Sequence, residues 1–230
     1  MISYIKSLPK KLDYFFFNKI SSKDHIFNLE IDKNEIKYFL ELKNTIDKKN
    51  FIWDGDWDKK KISISEYRKY STSYNSIHEI YEENKDYSEC EEYKLKSKLI
   101  LNGKNSGRGA SLIELNDYFK SLDKLKNSLN QFGYKSQLEL NNNKKNDEIG
   151  VVIGSNLEII KLEDKFGGTH RFALCKLLEI KQIIVSVKAI HKSLLERHDI
   201  KKIIARYDNE YIASLLKKKI EIRKKFYEKY

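Results

Sequence analysis

The chain is poor in the residues that punctuate or cross-link a polypeptide. Its 230 residues include one proline, nine glycines and two cysteines. Cys90 and Cys175 are far apart, and neither belongs to a CxxC pair or a Cys/His cluster. They therefore indicate ordinary reduced thiols, and neither a disulfide framework nor a zinc site. With so few turn-forming residues, the boundaries of helices and strands are weakly marked.

Long apolar runs are absent as well. No run approaches the roughly 18 residues of a membrane span, and the start MISYIKSLPKK lacks the apolar segment of a signal peptide. We therefore expect no transmembrane segment and a cytoplasmic location. Hydrophobic residues make up 40% and aromatic residues 12% of the chain, which is enough for a buried core. The sequence leaves the oligomeric state open.

Acidic residues are outnumbered, and the net charge is +11. Residues 201–229 hold ten basic and four acidic side chains, over half of this excess. Such a segment can bind nucleic acid or another anionic surface, so residues 200–230 are a candidate nucleic-acid site. The whole chain is also rich in Lys, Asn and Ile, as an AT-rich genome would make it. Both explanations of the charge stay open.

The first half of the chain gives a mixed pattern. The opening SYIKSLPKKLDYFFFNKI has the character of an amphipathic helix. HIFNLEID (25–32) alternates like a strand, and NEIKYFLELKNTI (34–46) has helical spacing. Residues 62–100 are expected to be helical in pieces, and NGKNSGRG (102–109) is the clearest loop.

The second half is more regular. Residues 111–133 carry an apolar helical stripe that ends at a glycine. SQLEL (136–140) is expected to be a short strand. EIGVVIG (148–154) and LEIIKLE (157–163) are expected to form a hairpin, and KQIIVSVKAIH (181–191) a last buried strand.

These patterns predict an α+β fold, with a small mixed β-sheet, packed helices, and helical extensions at both ends. We divide the chain into an N-terminal extension packed on the core (residues 1–110), the core itself (111–195) and a basic helical tail (196–230).

The segment KLEDKFGGTHRFALCKLLEI (161–180) poses an electrostatic question. Its apolar residues predict a helix with Thr169 as the N-cap. His170 and Arg171 then lie in the first turn, where the helix dipole disfavours cations. A bound anion would compensate, but so would an acidic neighbour such as Glu163 or Asp164, with Gly167-Gly168 serving only as a tight turn.

FGGTHRF between a strand and a helix, in this order of elements, resembles the ParB/sulfiredoxin superfamily. Sulfiredoxins carry FGGCHRY-type motifs, ParB proteins GERR-type motifs, and the free serine kinases of this fold DGHHR-type motifs. The resemblance covers residues 111–191. WDGDWD (53–58), GYKSQ and THRFALCKLL together also resemble an uncharacterised group of bacterial and archaeal ParB-like proteins.

The resemblance implies that the turn binds the phosphates of ATP or CTP. Gly167 and Gly168 would let the backbone approach an anion, and the first amides of the helix would point at it. Thr169 lies in this turn, His170 would add a donor or an orienting contact, and Arg171 would clamp phosphate oxygens.

The departures from the family narrow the chemistry. Thr169 occupies the position of the sulfiredoxin cysteine, and a hydroxyl cannot form the required thiolate, so this chain is not a working sulfiredoxin. No helix-turn-helix follows residue 191, which argues against centromere binding.

Phosphoryl transfer also needs Mg²⁺ and a carboxylate that takes the acceptor's proton. Glu163 and Asp164, just before the turn, are candidates for catalysis, and Asp164 also for metal binding. WDGDWD (53–58) offers Asp56 as a catalytic candidate and Asp56 and Asp58 as metal ligands, if the segment is extended. The alternative is a turn with inward tryptophans and capping aspartates.

Lys135, in GYKSQ, lies where family members approach the nucleotide and is a further candidate phosphate contact. The leading interpretation is an ATP- or CTP-binding, Mg²⁺-dependent phosphotransferase (kinase) that acts on a small hydroxylated acceptor. The alternatives are a ParB-like nucleotide switch and a DNA- or RNA-binding protein that uses the basic tail.

Overall fold

The computed structural model describes residues 27–41, 51–137, 139–140, 148–163 and 167–196. The aromatic opening of the chain, the polar NNNKKND segment, Asp164 and the basic tail lie outside the described residues, so the predictions made for them stay predictions. Among the described helices, none is long and apolar enough to cross a membrane.

The described strands form one mixed sheet of seven. In chain order they are β1 (Phe27–Asp32), β2 (Ile36–Leu40), β3 (Ile52–Trp53), β4 (Ile62–Ser63), β5 (Ile149–Ile153), β6 (Ile159–Leu162) and β7 (Gln182–His191). Their spatial order is β1-β7-β5-β6-β2-β4, and β3 also pairs with β7. The sheet therefore takes strands from both sides of residue 110.

The described helices are α1 (Ile64–Tyr67), α2 (Thr72–Tyr81), α3 (Glu91–Leu101), α4 (Leu112–Phe132), α5 (Thr169–Leu177) and α6 (Lys192–Glu196). Three 3₁₀ turns accompany them, at Lys33–Glu35, Trp57–Lys60 and Tyr87–Glu89. The α+β class predicted from the sequence is confirmed, as are the strand within residues 25–32, the loop at 102–109 and the long helix that ends at Gly133.

The predicted hairpin is also confirmed. β5 and β6 pair antiparallel, with Val152 opposite Ile160. β7 lies beside β5 in parallel and pairs antiparallel with β1 on its other side. The motif helix α5 connects β6 to β7, so the order strand, glycine turn, helix, strand stands as the sequence indicated.

Two predicted elements are wrong. Residues 36–40 form strand β2 rather than a helix: Phe39 packs into the main core and Leu40 into a second cluster, so the strand buries both faces and lacks alternation. The described residues of SQLEL (136–137 and 139–140) form a turn rather than a strand. The Ser136 hydroxyl accepts from the Glu139 amide at 3.1 Å, and the Ser136 carbonyl accepts from the Leu140 amide at 3.1 Å.

The sheet is strongly curled. β1 and β2 are four strand spacings apart in the order, about 19 Å in a flat sheet. Only the three residues Lys33–Glu35 connect them, and such a link reaches about 14 Å at most. The two sides of the sheet must therefore bend toward each other, as in an open barrel.

Two apolar clusters cover the faces of the sheet. The main core takes Val151 and Ile153 from β5 and receives helices α2, α4 and α5, including Phe172, which is 0% exposed. The second cluster holds Val152, Trp53 and Trp57. Because side chains alternate across a strand, these clusters lie on opposite faces. Helix α5 and the two tryptophans are thus separated by the sheet.

Candidate functional site

Helix α5 begins with a left-handed glycine turn. Gly167 has φ 83° and Gly168 has φ 76°, values that other residues rarely adopt. The first helical backbone bond runs from the Phe172 amide to the Gly168 carbonyl at 2.8 Å. The N-cap is therefore Gly168, one residue before the expected Thr169.

Gly168 has a packing reason to be glycine. A Cβ at this position would lie 2.6 Å from the Cα of Ile149, the first residue of β5. No side chain fits at that distance. The turn therefore presses the start of α5 directly onto the backbone of the sheet, whether or not an anion binds.

Arg171 is held by a buried carboxylate. Its Nη1 lies 3.5 Å from Oε2 of Glu148, and Glu148 is 1% exposed. Glu148 also accepts from the Tyr134 hydroxyl and from the Gln137 amide, each at 2.6 Å. Burial raises the pKa of Tyr134, so its hydroxyl stays a donor. Glu148 is thus an acidic neighbour of Arg171.

His170 is likewise held on both sides of its ring. Nε2 lies 2.7 Å from Glu92 on α3, and Nδ1 lies 2.9 Å from the Tyr118 hydroxyl on α4. The histidine is 5% exposed and Glu92 is 0% exposed. The ring therefore connects three helices, and His170 can meet an anion at the turn only through its backbone amide.

Glu92 is ionised in this network. Burial by itself raises its pKa, but the hydrogen bond and charge of His170, the charge of Arg108 and the Ser73 hydroxyl outweigh burial and lower the pKa to about 2. The Ser76 hydroxyl donates to it as well, at 3.0 Å. A carboxylate bound by this many donors is fixed in position.

Two more polar groups lie at the turn. Lys161 on β6 is 0% exposed and donates to the carbonyls of Leu162 at 2.6 Å and Gly167 at 3.1 Å. Thr169 is 3% exposed, and among the described residues its hydroxyl has no hydrogen-bond partner. A buried orphan hydroxyl is costly and calls for an explanation.

A cavity of about 590 Å³ opens at the end of β6, the strand that precedes the turn in the sequence. Glu163, which follows β6, lines it together with Phe39, Glu41, Tyr67 and Thr72. Glu41 follows β2, the parallel neighbour of β6. The cavity therefore lies at the carboxyl ends of two parallel strands, a common position for ligand sites.

A second cavity of about 330 Å³ adjoins the first, since Ser71 and Thr72 line both. Arg68 and Lys69 line this second cavity, whereas Glu41 and Glu163 line the first. The two neighbouring cavities therefore offer basic and acidic side chains, respectively. Both volumes fall within the range of small-molecule sites.

Lys135 is exposed, and its Nζ lies 4.4 Å from the centre of the Phe132 ring. It directly follows Tyr134, the partner of Glu148. The loop after α4 thus comes to the Arg171 side of the turn, with the lysine on the surface.

The aspartates of WDGDWD lie elsewhere. Asp58 is 2% exposed and accepts from the Ser155 amide at 2.8 Å, in the turn of the β5–β6 hairpin. Asp56 is exposed and pairs with Lys59 at 2.8 Å. The glycine turn contacts the other end of β5, about 13 Å along the strand. The fold does not bring these aspartates together with Glu163, and within the described residues no three metal-ligating side chains cluster.

Glu92, Glu148, Tyr118 and Tyr134 escaped the sequence analysis. Glu148 carried one signal, an acid directly before a fully apolar strand, where a charge is buried only with partners. Glu92 carried none, since EEYKLKSKLIL is typical of an exposed helix.

The fold and site define an α+β protein with a curled mixed sheet and a glycine-opened helix on its main core. No known protein family, curated protein or solved structure matches the chain. The geometry of the site therefore carries the functional argument.

Proposed function

We propose that the protein, acting in the cytoplasm, binds the phosphates of ATP or CTP at the glycine turn and transfers a phosphoryl group to a small hydroxylated acceptor with Mg²⁺. The observation that carries the proposal is the cavity of about 590 Å³ at the carboxyl ends of β2 and β6, lined by Glu163. Together with FGGTHRF, this supports membership of the ParB/sulfiredoxin superfamily as part of the same proposal.

The phosphate contacts fall mainly to groups of the turn itself. The amides of Thr169 and His170 begin a helix and have no intrahelical acceptor, so they suit an anion. The Thr169 hydroxyl, buried and without a partner among the described residues, would gain one. Arg171 carries five donors on its guanidinium and can serve a phosphate beside Glu148.

Glu163 is the carboxylate for catalysis in this proposal, together with Asp164. One of them binds Mg²⁺ through an oxygen, as the ion prefers, and the other accepts the acceptor's hydroxyl proton. The acceptor oxygen forms a bond to the γ-phosphorus while the bond from that phosphorus to the nucleoside diphosphate breaks. Asp56 and Asp58 play no part in this version.

A threonine variant tests phosphate binding without damaging the fold. Thr169→Val keeps the shape of the side chain and removes a hydroxyl that has no partner among the described residues, so stability should stay equal or rise. We expect Mg-ATP or Mg-CTP to raise the melting temperature of the wild type, and this shift to shrink in Thr169→Val. The measurement is a thermal-shift series over four nucleotides with and without Mg²⁺.

Glu163→Gln tests the metal role, with Glu30→Gln, an exposed residue of β1, as the matched control. Only the first should weaken the Mg²⁺-dependent part of the shift. Transfer of labelled γ-phosphate to a pool of small alcohols separates a kinase from a nucleotide switch, which binds and makes no such product. If no nucleotide shifts the melting temperature, the proposal is wrong.

Binding of nucleic acid through residues 200–230 stays a prediction from charge. If the prediction holds, the protein should bind duplex DNA or RNA with an affinity that falls steeply with salt concentration. This binding should disappear when residues 200–230 are removed.

A further inference from the structure

Three side chains from three helices form a connected chain of hydrogen bonds. Glu92 on α3 lies 2.7 Å from His170 Nε2, and the Tyr118 hydroxyl on α4 lies 2.9 Å from His170 Nδ1. The order is carboxylate, imidazole, hydroxyl. It is the order of an activated nucleophile, in which a third group orients the base.

The carboxylate end is fixed in position. Glu92 accepts from Ser73 at 2.7 Å, Ser76 at 3.0 Å and Arg108 Nε at 3.3 Å. In the neutral form of His170 that a general base requires, Nε2–H donates to this carboxylate and Nδ1 accepts from the Tyr118 hydroxyl. The arrangement thus sets the tautomer that can take the phenolic proton.

Tyr118 is more accessible to solvent than His170. Glu92 and His170 are buried, whereas Tyr118 is partly exposed. Arg108, from the loop before α4, places its guanidinium carbon 4.9 Å from the centre of the Tyr118 ring, and its side chain is 23% exposed. A reactant can therefore reach the hydroxyl and the arginine without reaching the imidazole.

We propose that Tyr118 is a nucleophile for a phosphoryl group, with His170 as its base and Glu92 as the residue that positions the base. The phenolic oxygen forms a bond to phosphorus, and the bond from phosphorus to the leaving oxygen breaks. The phenolic proton passes to His170 Nδ1, and the leaving oxygen departs with the bonding electron pair and takes its proton from water. Arg108 suits the negative phosphoryl oxygens as they approach.

This proposal is independent of nucleotide binding, because it needs only a reactive phosphate ester or anhydride. It also gives His170 of the FGGTHRF motif a role other than phosphate contact. The two proposals can fail separately, since one is read by thermal shift and the other by covalent labelling.

A fluorophosphonate reports the chemistry directly. Attack by the phenolic oxygen forms an O–P bond, the P–F bond breaks, fluoride leaves and His170 takes the proton. The native wild-type protein is treated with the probe, and peptide mass spectrometry measures the rate at each tyrosine. We expect Tyr118 to react about 100-fold faster than Tyr81, the lower end of what a positioned base supplies.

Tyr81 is the matched internal control, since its hydroxyl donates to the Asp123 carboxylate at 2.8 Å with no histidine in the bond. Tyr118→Phe should abolish the fast adduct, and His170→Gln should slow it by about 100-fold. Equal labelling of Tyr118 and Tyr81 in the folded wild type would overturn the proposal. That comparison needs no variant to fold, and urea should erase the difference.

Discussion

At the scale of single residues, the two basic side chains of the motif are each held by a buried carboxylate. His170 is bound by Glu92 at 2.7 Å, and Arg171 lies 3.5 Å from Glu148. The helix dipole disfavours the guanidinium and any positive charge on the imidazole, and the two carboxylates offset that cost. Glu92 and Glu148 therefore explain why basic residues are tolerated in the first turn of α5, even without a bound anion.

The contribution of Glu92 to stability can be measured through its pH dependence. Its pKa is lowered from 4.5 to about 2 in the folded protein. A lowered carboxyl pKa contributes stability above the unfolded pKa, and the contribution is lost as the pH falls from about 4.5 to about 2. The shift corresponds to about 3 kcal/mol.

Glu92→Gln should therefore lower the free energy of unfolding by about 3 kcal/mol at neutral pH and flatten its fall in acid. Urea unfolding between pH 2 and pH 7 measures both effects. Asp117→Asn, a change at an exposed residue of α4, is the control and should lose little. A wild-type acid profile that Glu92→Gln leaves unchanged would contradict the assignment.

At the scale of elements, the glycine turn fixes where α5 meets the sheet. Gly168 combines a positive φ of 76° with a virtual Cβ only 2.6 Å from Ile149 Cα. Gly103 has a similar φ of 70° and open space around the same position. The two glycines share backbone strain and differ in packing.

Gly168→Ala should therefore destabilise the protein more than Gly103→Ala does. Both replacements incur about 1–2 kcal/mol for a left-handed backbone, and Gly168→Ala adds about 1–3 kcal/mol of overlap with β5. Chemical denaturation of both variants gives the difference. Equal losses would mean that α5 can shift away from the strand.

At the scale of the whole molecule, WDGDWD ties the second cluster to the far end of the β5–β6 hairpin. Burial acts to raise the pKa of Asp58, but hydrogen bonds from Ser155 and the charge of His191 outweigh it, so the pKa lies below its ordinary value. Trp53 and Trp57 pack edge to face, 5.4 Å apart. The contacts of WDGDWD therefore support a structural role, in which the segment holds the hairpin turn and packs the second cluster.

Asp58→Ala should therefore lower the free energy of unfolding by about 1–3 kcal/mol, because the Ser155 amide loses its buried acceptor. Asp56→Ala should change it by less than about 0.5 kcal/mol, since that residue is exposed. Thermal melts compare them. A loss of nucleotide-dependent turnover in Asp56→Ala would contradict a purely structural role and would assign Asp56 to the active site.

The sequence by itself determined the hairpin, the glycine turn, the motif helix and the strand after it. Each depends on local patterns, namely apolar runs bounded by turn residues and a glycine where the backbone must turn left-handed. Local pattern misassigned β2, because a strand with both faces buried lacks alternation and its apolar spacing also fits a helix.

Only the tertiary structure decided which charges meet. Glu92 is 78 positions before His170, and no periodicity reports a pairing between distant helices. The curled sheet also put the tryptophans of WDGDWD and the motif helix on opposite faces, although both segments are rich in functional residue types. Long-range electrostatic contacts follow from packing of the core, and packing is a property of the folded chain rather than of any short segment.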